Sequence, residues 1–191
     1  MNNTVSEYRE HLSDLLLAVQ RCVYFLDGSM RRIQWPLSAD QLAEHSKEVE
    51  LFMALSAVNE RFAKLQDTLG AAMRHAAMLA GEESDTFMKT LSHFEKVGVL
   101  PSIDHWQEMR AIRNMAAHEY GTAYEEIASH FNTLRELVPR LIYISGSFTD
   151  YCSTTLDIEP SNQGFTTEFQ NIVADNSSGP NSETLSSPLD I

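Results

Sequence analysis

An arginine, an asparagine, a histidine and a tyrosine lie close together in the stretch 113–120. Arg113 carries a permanent charge that can hold a phosphate through paired charge-assisted hydrogen bonds. His118 is the side-chain type best suited to moving protons near neutral pH. Asn114 adds an amide between them, and Tyr120 adds a phenol just beyond. These residue types in this order indicate chemistry on a phosphodiester or a nucleotide.

The helix that must carry these residues does not bring them together by itself. On a straight helix Arg110, Asn114 and His118 recur every four residues and share one face. Arg113 and His118 are five residues apart, so they differ by roughly 140° around a helix of 3.6 residues per turn. Either the helix unwinds near Gly121, or two copies of the chain face each other across a two-fold axis.

The same segment resembles a known family. The pattern Arg113-Asn114-x3-His118-x-Tyr120 is similar to the R-(polar)-x(3-5)-H motif of the HEPN superfamily, in the R-x4-H-x-Y form of HepT-like toxins. The flanking stretch 87–109 is similar to the small bacterial "nucleotidyltransferase substrate-binding" branch. The resemblance extends over roughly residues 38–144, and most of its specificity lies within residues 87–120.

The resemblance implies a metal-independent endoribonuclease, the toxin half of a HEPN/nucleotidyltransferase toxin–antitoxin pair, acting in the cytoplasm as a symmetric homodimer. His118 would be the general base or acid at the ribose 2′-hydroxyl, and Arg113 would clamp the scissile phosphate. Asn114 would hold the imidazole or a phosphate oxygen, with Arg110 supporting the same face. The resemblance also makes Tyr120 a site where the partner nucleotidyltransferase antitoxin attaches AMP. RNA is the expected substrate, and no cofactor is expected.

Two further interpretations stay open at this point. A non-catalytic binding module would present substrate, or a modifiable Tyr120, to a separate nucleotidyltransferase. A plain helical adaptor would carry Arg113 as a surface cation and His118 as a residue near a helix C-terminus, where positive charge is favourable. In that case Tyr120 is an aromatic anchor of the bundle.

The charge of the chain argues against a broad nucleic-acid-binding face. The formal net charge is -13, from 27 acidic and 14 basic residues. Seven of the acidic residues and none of the basic ones lie from Phe148 onward, so the preceding part still has a net charge of -6. Contact with RNA therefore requires a local positive pocket.

Other chemistries lack their residue patterns. The histidines form no H-x3-H or H-E-x-x-H pair, so no metal site is expected. Neither a G-x4-G-K-[ST] phosphate loop nor a G-x-S-x-G nucleophile elbow occurs. Cys22 and Cys152 are far apart in sequence and are expected to be free thiols in a reducing cytosol. No apolar run approaches the roughly 20 residues of a membrane span, and the N-terminus lacks a signal-peptide pattern.

Helical patterns predict an all-α antiparallel bundle of four to five helices over residues 1–147. The resemblance implies that this bundle is HEPN-like. Capping boxes mark expected helix starts, and glycines at 28 and 98 mark expected ends. Pro139 predicts a kink in the last long helix. Residues 148–191 are rich in Ser, Thr, Asn, Gly and Pro, and they are predicted to form a disordered acidic tail. The expected capping boxes are Thr4–Glu7, Ser38–Gln41 and Thr122–Glu125.

Overall fold

A computed structural model describes residues 2–82, 85–115 and 123–177 of the chain. Within these ranges the regular structure is entirely helical, which confirms the predicted all-α bundle. The helices are α1 (Asn2–Met30), α2 (Ala39–Glu44), α3 (Val49–Leu79), α4 (Phe87–Lys96), α5 (Ile103–Met115), α6 (Tyr124–Leu156) and α7 (Thr166–Ser177).

Three long helices, α1, α3 and α6, build the core. Each has a stripe of apolar side chains at helical spacing, and the three stripes pack against one another because this removes their apolar surface from water. α1 packs along α3, and α6 packs against both. The short helices α4 and α5 cover the C-terminal half of α3. The fully buried positions include Leu12, Leu16, Val19, Val23, Leu26, Phe62, Leu65, Leu69, Met73, Leu134 and Leu141.

The start of α2 and the end of α4 are formed as the sequence predicts. The Ser38 hydroxyl accepts a hydrogen bond from the Gln41 N–H at 3.2 Å, and the Gln41 side chain accepts one from the Ser38 N–H at 3.1 Å. Gly98 follows α4 with a φ of 78°, and its N–H donates to the Glu95 carbonyl at 3.1 Å. Both signals are local, so the sequence alone was enough to find them.

Other helix boundaries differ from the prediction. α1 begins at Asn2 rather than at a Thr4 cap, and it runs past Gly28 to Met30. The longer α1 is supported by Arg31, whose Nε donates to Asp27 at 2.7 Å across one turn. The helix expected to follow Ser38 is divided into α2 and α3 by residues 45–48. These four residues are polar and offer no apolar side chain to the core.

The last capping box involves Thr122, which lies outside the described residues. The N-cap of α6 is Ala123, with no side-chain capping hydrogen bond. Pro139 lies inside α6, and the helix continues through that position.

The prediction of a disordered tail from Phe148 is wrong for residues 148–177. α6 continues to Leu156, and α7 folds back against α1 and α6. The error has a physical cause: few apolar residues occur here, but most of them recur at helical spacing and pack into the core or against it. The buried residues of this stretch include Phe148, Cys152, Ile158, Phe169 and Ile172.

The connection between α6 and α7 is tied to α1. Asp157 has a φ of 54° and ends α6 in the left-handed region. Its carbonyl accepts a hydrogen bond from Arg9 Nη2 at 2.7 Å, and the Glu159 carbonyl accepts one from the Ser13 hydroxyl at 2.6 Å. α7 is therefore a part of the folded bundle.

Both cysteines are free thiols, as the sequence predicts, and both are buried. Burial raises the pKa of Cys22, and it raises the pKa of Cys152 strongly. In the part of the chain that the structure describes, no helix combines the length and the apolar character needed to cross a bilayer.

Candidate functional site

Helix α5 carries the only part of the predicted motif whose side chains the structure describes. Its first turn is fixed by Ser102, whose hydroxyl accepts a hydrogen bond from the Asp104 N–H at 3.1 Å. The buried Trp106 and Met109 then hold the helix against the core. This anchoring places Arg110 and Arg113, one turn apart, on the side of α5 that borders α3.

Arg113 is held by a carboxylate of the neighbouring helix. Its Nη1 donates a hydrogen bond to Asp67 on α3. The Arg113 side chain is 20% exposed, whereas that of Asp67 is 65% exposed. The guanidinium is therefore oriented by the fold and still reachable from solvent, as a phosphate-binding arginine must be.

Arg113 lines a cleft between α3, α4 and α5 with a volume of about 80 Å³. Three guanidinium groups and one carboxylate border it, so its described lining has a net charge of +2 in a chain whose net charge is -13. This is a local positive pocket of the kind that an acidic chain needs in order to bind a polyanion. The lining residues are Gln66, Asp67, Gly70, Arg74, Phe87, Trp106, Arg110 and Arg113.

An aromatic pair forms one wall of the cleft. The Phe87 and Trp106 ring centroids are 5.9 Å apart and the rings are inclined at 63°. The Arg74 guanidinium lies 4.3 Å from the centroid of Phe87, within the range of a cation–π contact. Gly70 makes room for this wall, since a Cβ at that position would be 3.2 Å from Cζ of Phe87.

A buried amide connects α3 to the backbone of α5. Gln66 is 2% exposed, and its Nε2 donates to the carbonyl oxygen of Trp106 at 3.2 Å. Trp106 precedes Arg110 by one turn, so this hydrogen bond fixes the turn that carries the arginine. The Gln66 Oε1 has no hydrogen-bond partner among the described residues.

The structure joins some of the predicted site residues and leaves others undescribed. Arg110 and Arg113 line the same cleft, although a straight helix places them on neighbouring faces. Asn114 lies within α5, but its side chain is outside what the structure describes. His118 and Tyr120 also lie outside the described residues. The convergence of Arg113 and His118 therefore stays a prediction.

Sequence reasoning missed the α3 side of the cleft. Gln66, Gly70 and Arg74 recur every four residues on α3, and the first two of them are buried. An amide and a glycine at helical spacing inside an apolar stripe were the available signal. Asp67 contacts Arg113, which lies 46 residues later in the sequence, so no local sequence pattern could reveal this contact.

Comparison of the chain with protein-family models, with curated proteins and with solved structures found no match. The resemblance to HEPN proteins therefore depends on the sequence motif itself. Among the described side chains, no group of three or more His, Cys, Asp and Glu residues is placed to hold a metal ion.

Proposed function

We propose that this chain is a metal-independent endoribonuclease of the HEPN type, the toxin component of a HEPN/nucleotidyltransferase toxin–antitoxin pair acting in the cytoplasm. The observation that carries the proposal is the setting of Arg113. Its guanidinium is oriented by Asp67 at the edge of a cleft that Arg74 and Arg110 also line. Clustered guanidinium groups suit phosphate oxygens, which accept two parallel hydrogen bonds from each planar fork.

In the proposed reaction His118 accepts the proton of a ribose 2′-hydroxyl. The 2′-oxygen then attacks the adjacent phosphorus, the bond from phosphorus to the 5′-oxygen breaks, and a 2′,3′-cyclic phosphate remains. Arg113 stabilises the charge on the non-bridging oxygens, and Asn114 holds the imidazole. A homodimer supplies a second His118, which protonates the leaving 5′-oxygen.

Cleavage of RNA by the purified protein in excess EDTA tests this proposal. We expect His118→Ala and Arg113→Ala each to lower the cleavage rate by about 100-fold or more, the usual contribution of such groups. Arg140→Ala is the matched control, since Arg140, whose side chain is 42% exposed, is paired with Glu108 outside the cleft. The proposal fails if the wild-type protein neither cleaves RNA nor inhibits growth.

The second candidate is a non-catalytic partner of a nucleotidyltransferase, modified with AMP on Tyr120. The net charge of -13 supports it, because the surface as a whole repels RNA. Co-expression with a nucleotidyltransferase, followed by mass spectrometry, would then show additions of AMP at Tyr120. Growth inhibition that His118→Ala relieves would assign the modification to an antidote of an active toxin.

A further inference from the structure

Two guanidinium groups in the cleft have hydrogen-bond donors without partners in the described part of the chain. Arg110 forms no hydrogen bond or ion pair there, and its side chain is exposed. Arg74 has a single described contact, the ring of Phe87, which occupies a face of the guanidinium rather than its N–H edge. Arg113 differs from both, since Asp67 already takes one of its donors.

Like charges that line one small cleft repel each other. Asp67, the carboxylate among the described lining residues, is paired with Arg113, so an anion between Arg74 and Arg110 would relieve their repulsion. Arg74 and Arg110 come from different helices, and the fold brings both to the same cleft. Phe87 supports the first, and the hydrogen bond from Gln66 to Trp106 fixes the turn that carries the second. Two guanidinium groups at one cleft, with donors unpaired among the described residues, suit a phosphate, whose oxygens can accept hydrogen bonds from both.

The size of the cleft limits what can enter it. Its volume is about 80 Å³, whereas pockets that enclose a drug-sized ligand have roughly 300 Å³ or more. A phosphate group fits such a space. Contacts to a backbone phosphate carry no information about base identity, so recognition here would not depend on the sequence of the strand.

From these observations we propose that Arg74 and Arg110 form a phosphate subsite that binds a backbone phosphate next to the scissile one. The inference builds on the proposed function, in which Arg113 holds the scissile phosphate. The subsite sets the register of the strand, so that a defined linkage reaches Arg113 and His118. The ligand is the phosphodiester of a single-stranded nucleic acid, and neither the sugar nor the base takes part.

Binding to the full-length His118→Ala protein tests the subsite separately from cleavage. In that background, we expect Arg74→Gln and Arg110→Gln each to weaken binding of a single-stranded RNA oligonucleotide about tenfold. Each should also reduce the salt dependence, with the log–log slope changing by roughly 0.7 per lost contact. Arg140→Gln should change neither quantity. The exposed positions of Arg74 and Arg110 allow both variants to fold, which circular dichroism verifies.

Oligonucleotides with one neutral methylphosphonate linkage identify the phosphate. We expect that neutralising the linkage adjacent to the cleaved one weakens binding as much as Arg74→Gln does. The two changes together should weaken binding no more than either change alone. A deoxyribose strand should bind as well as a ribose strand, whereas millimolar inorganic phosphate should compete only weakly.

Three results would overturn the subsite: unchanged binding by both arginine variants, additive effects of Arg74→Gln with the neutral linkage, or full competition by inorganic phosphate. The last result would assign the cleft to free phosphate. If the wild-type protein neither cleaves RNA nor inhibits growth while the arginine variants still lose affinity, the cleft binds a backbone phosphate and the nuclease proposal falls.

Discussion

Arg113 and Asp67 face each other across the boundary between α5 and α3, and the arginine Nη1 donates directly to the aspartate carboxylate. The carboxylate has two opposite effects on a phosphate-binding site. It orients the guanidinium, and it competes with the incoming phosphate for the same donors. The balance of these effects can be measured because the two can be removed separately.

Asp67→Asn removes the negative charge but keeps a side-chain oxygen that accepts from Arg113. We expect RNA binding at low salt to become about fivefold tighter, the effect of roughly 1 kcal/mol from one nearby charge in a water-like medium. Asp67→Leu removes the acceptor as well, so Arg113 loses this orienting hydrogen bond and we expect cleavage to slow. Fluorescence anisotropy and cleavage rates measure the two effects. Weaker binding in Asp67→Asn would show instead that the carboxylate takes part in recognition.

His11 and His75 pack edge to face across α1 and α3, with ring centroids 4.5 Å apart. Burial lowers the pKa of His75, and the positive charge of a protonated His11 lowers it further. The unfolded chain thus takes up a proton near pH 6.5, and the folded chain takes it up only at lower pH. Stability is fully present above about pH 6.5 and falls as the pH drops through the folded pKa.

Urea unfolding at pH 7.5 and pH 5 measures the contribution of His75 when the wild-type protein is compared with a His75 variant. The wild-type chain should lose more stability between the two values than His75→Gln does. His105→Gln, a change at an exposed histidine, should behave like the wild type. An identical pH dependence for wild type and His75→Gln would exclude His75 as the cause.

Features that depend on neighbouring residues could be predicted from the sequence, and features that depend on distant ones could not. The Ser38 cap and the Gly98 end of α4 lie within four residues of their partners. The cleft instead joins α3 to residues of α5 about 40 positions later, as in the hydrogen bond between Gln66 and Trp106. The sequence contains each of these residues but no sign that they meet.

The C-terminal region shows the same limit in another form. The polar composition after Phe148 predicts disorder. An average composition does not show that a helix places the few apolar residues on one side and the polar residues on the other. Phe169 and Ile172 are three positions apart, so they lie on one side of α7 and are buried together. Whether such a helix is stable depends on the surface that receives it, here α1 and α6.

The contact between α6 and α7 makes Gly146 a sensitive position. A Cβ on Gly146 would lie 2.6 Å from Cγ1 of Val173, and valine has little freedom to move aside. We expect Gly146→Ala to destabilise the protein by about 1–2 kcal/mol, because overpacking outweighs the gain in helix propensity. This corresponds to a fall in Tm of roughly 2–8 °C.

Gly28→Ala is the matched control for that substitution. Gly28 also lies inside a long helix, but nothing is within 4 Å of the position of its Cβ. We therefore expect this change to stabilise the protein by up to about 1 kcal/mol. Thermal unfolding of the two variants should give shifts of opposite sign. A stabilised Gly146→Ala would mean that α7 does not hold Val173 against α6.

Truncation tests whether α7 belongs to the folded unit. A chain ending at Ser147 loses Phe148, Cys152, Ile158, Phe169 and Ile172 from the core. At roughly 1.5–3 kcal/mol for each large apolar side chain, the loss is comparable with the whole stability of a typical domain, about 5–15 kcal/mol. We expect this chain to aggregate or to lack a cooperative unfolding transition.

A chain ending at Ser177 keeps all of these residues, and its Tm should stay within about 2 °C of the full-length value, a change of roughly 1 kcal/mol or less. Cooperative unfolding of the shorter chain at the full-length Tm would show that residues 148–177 contribute nothing to the stability of the bundle.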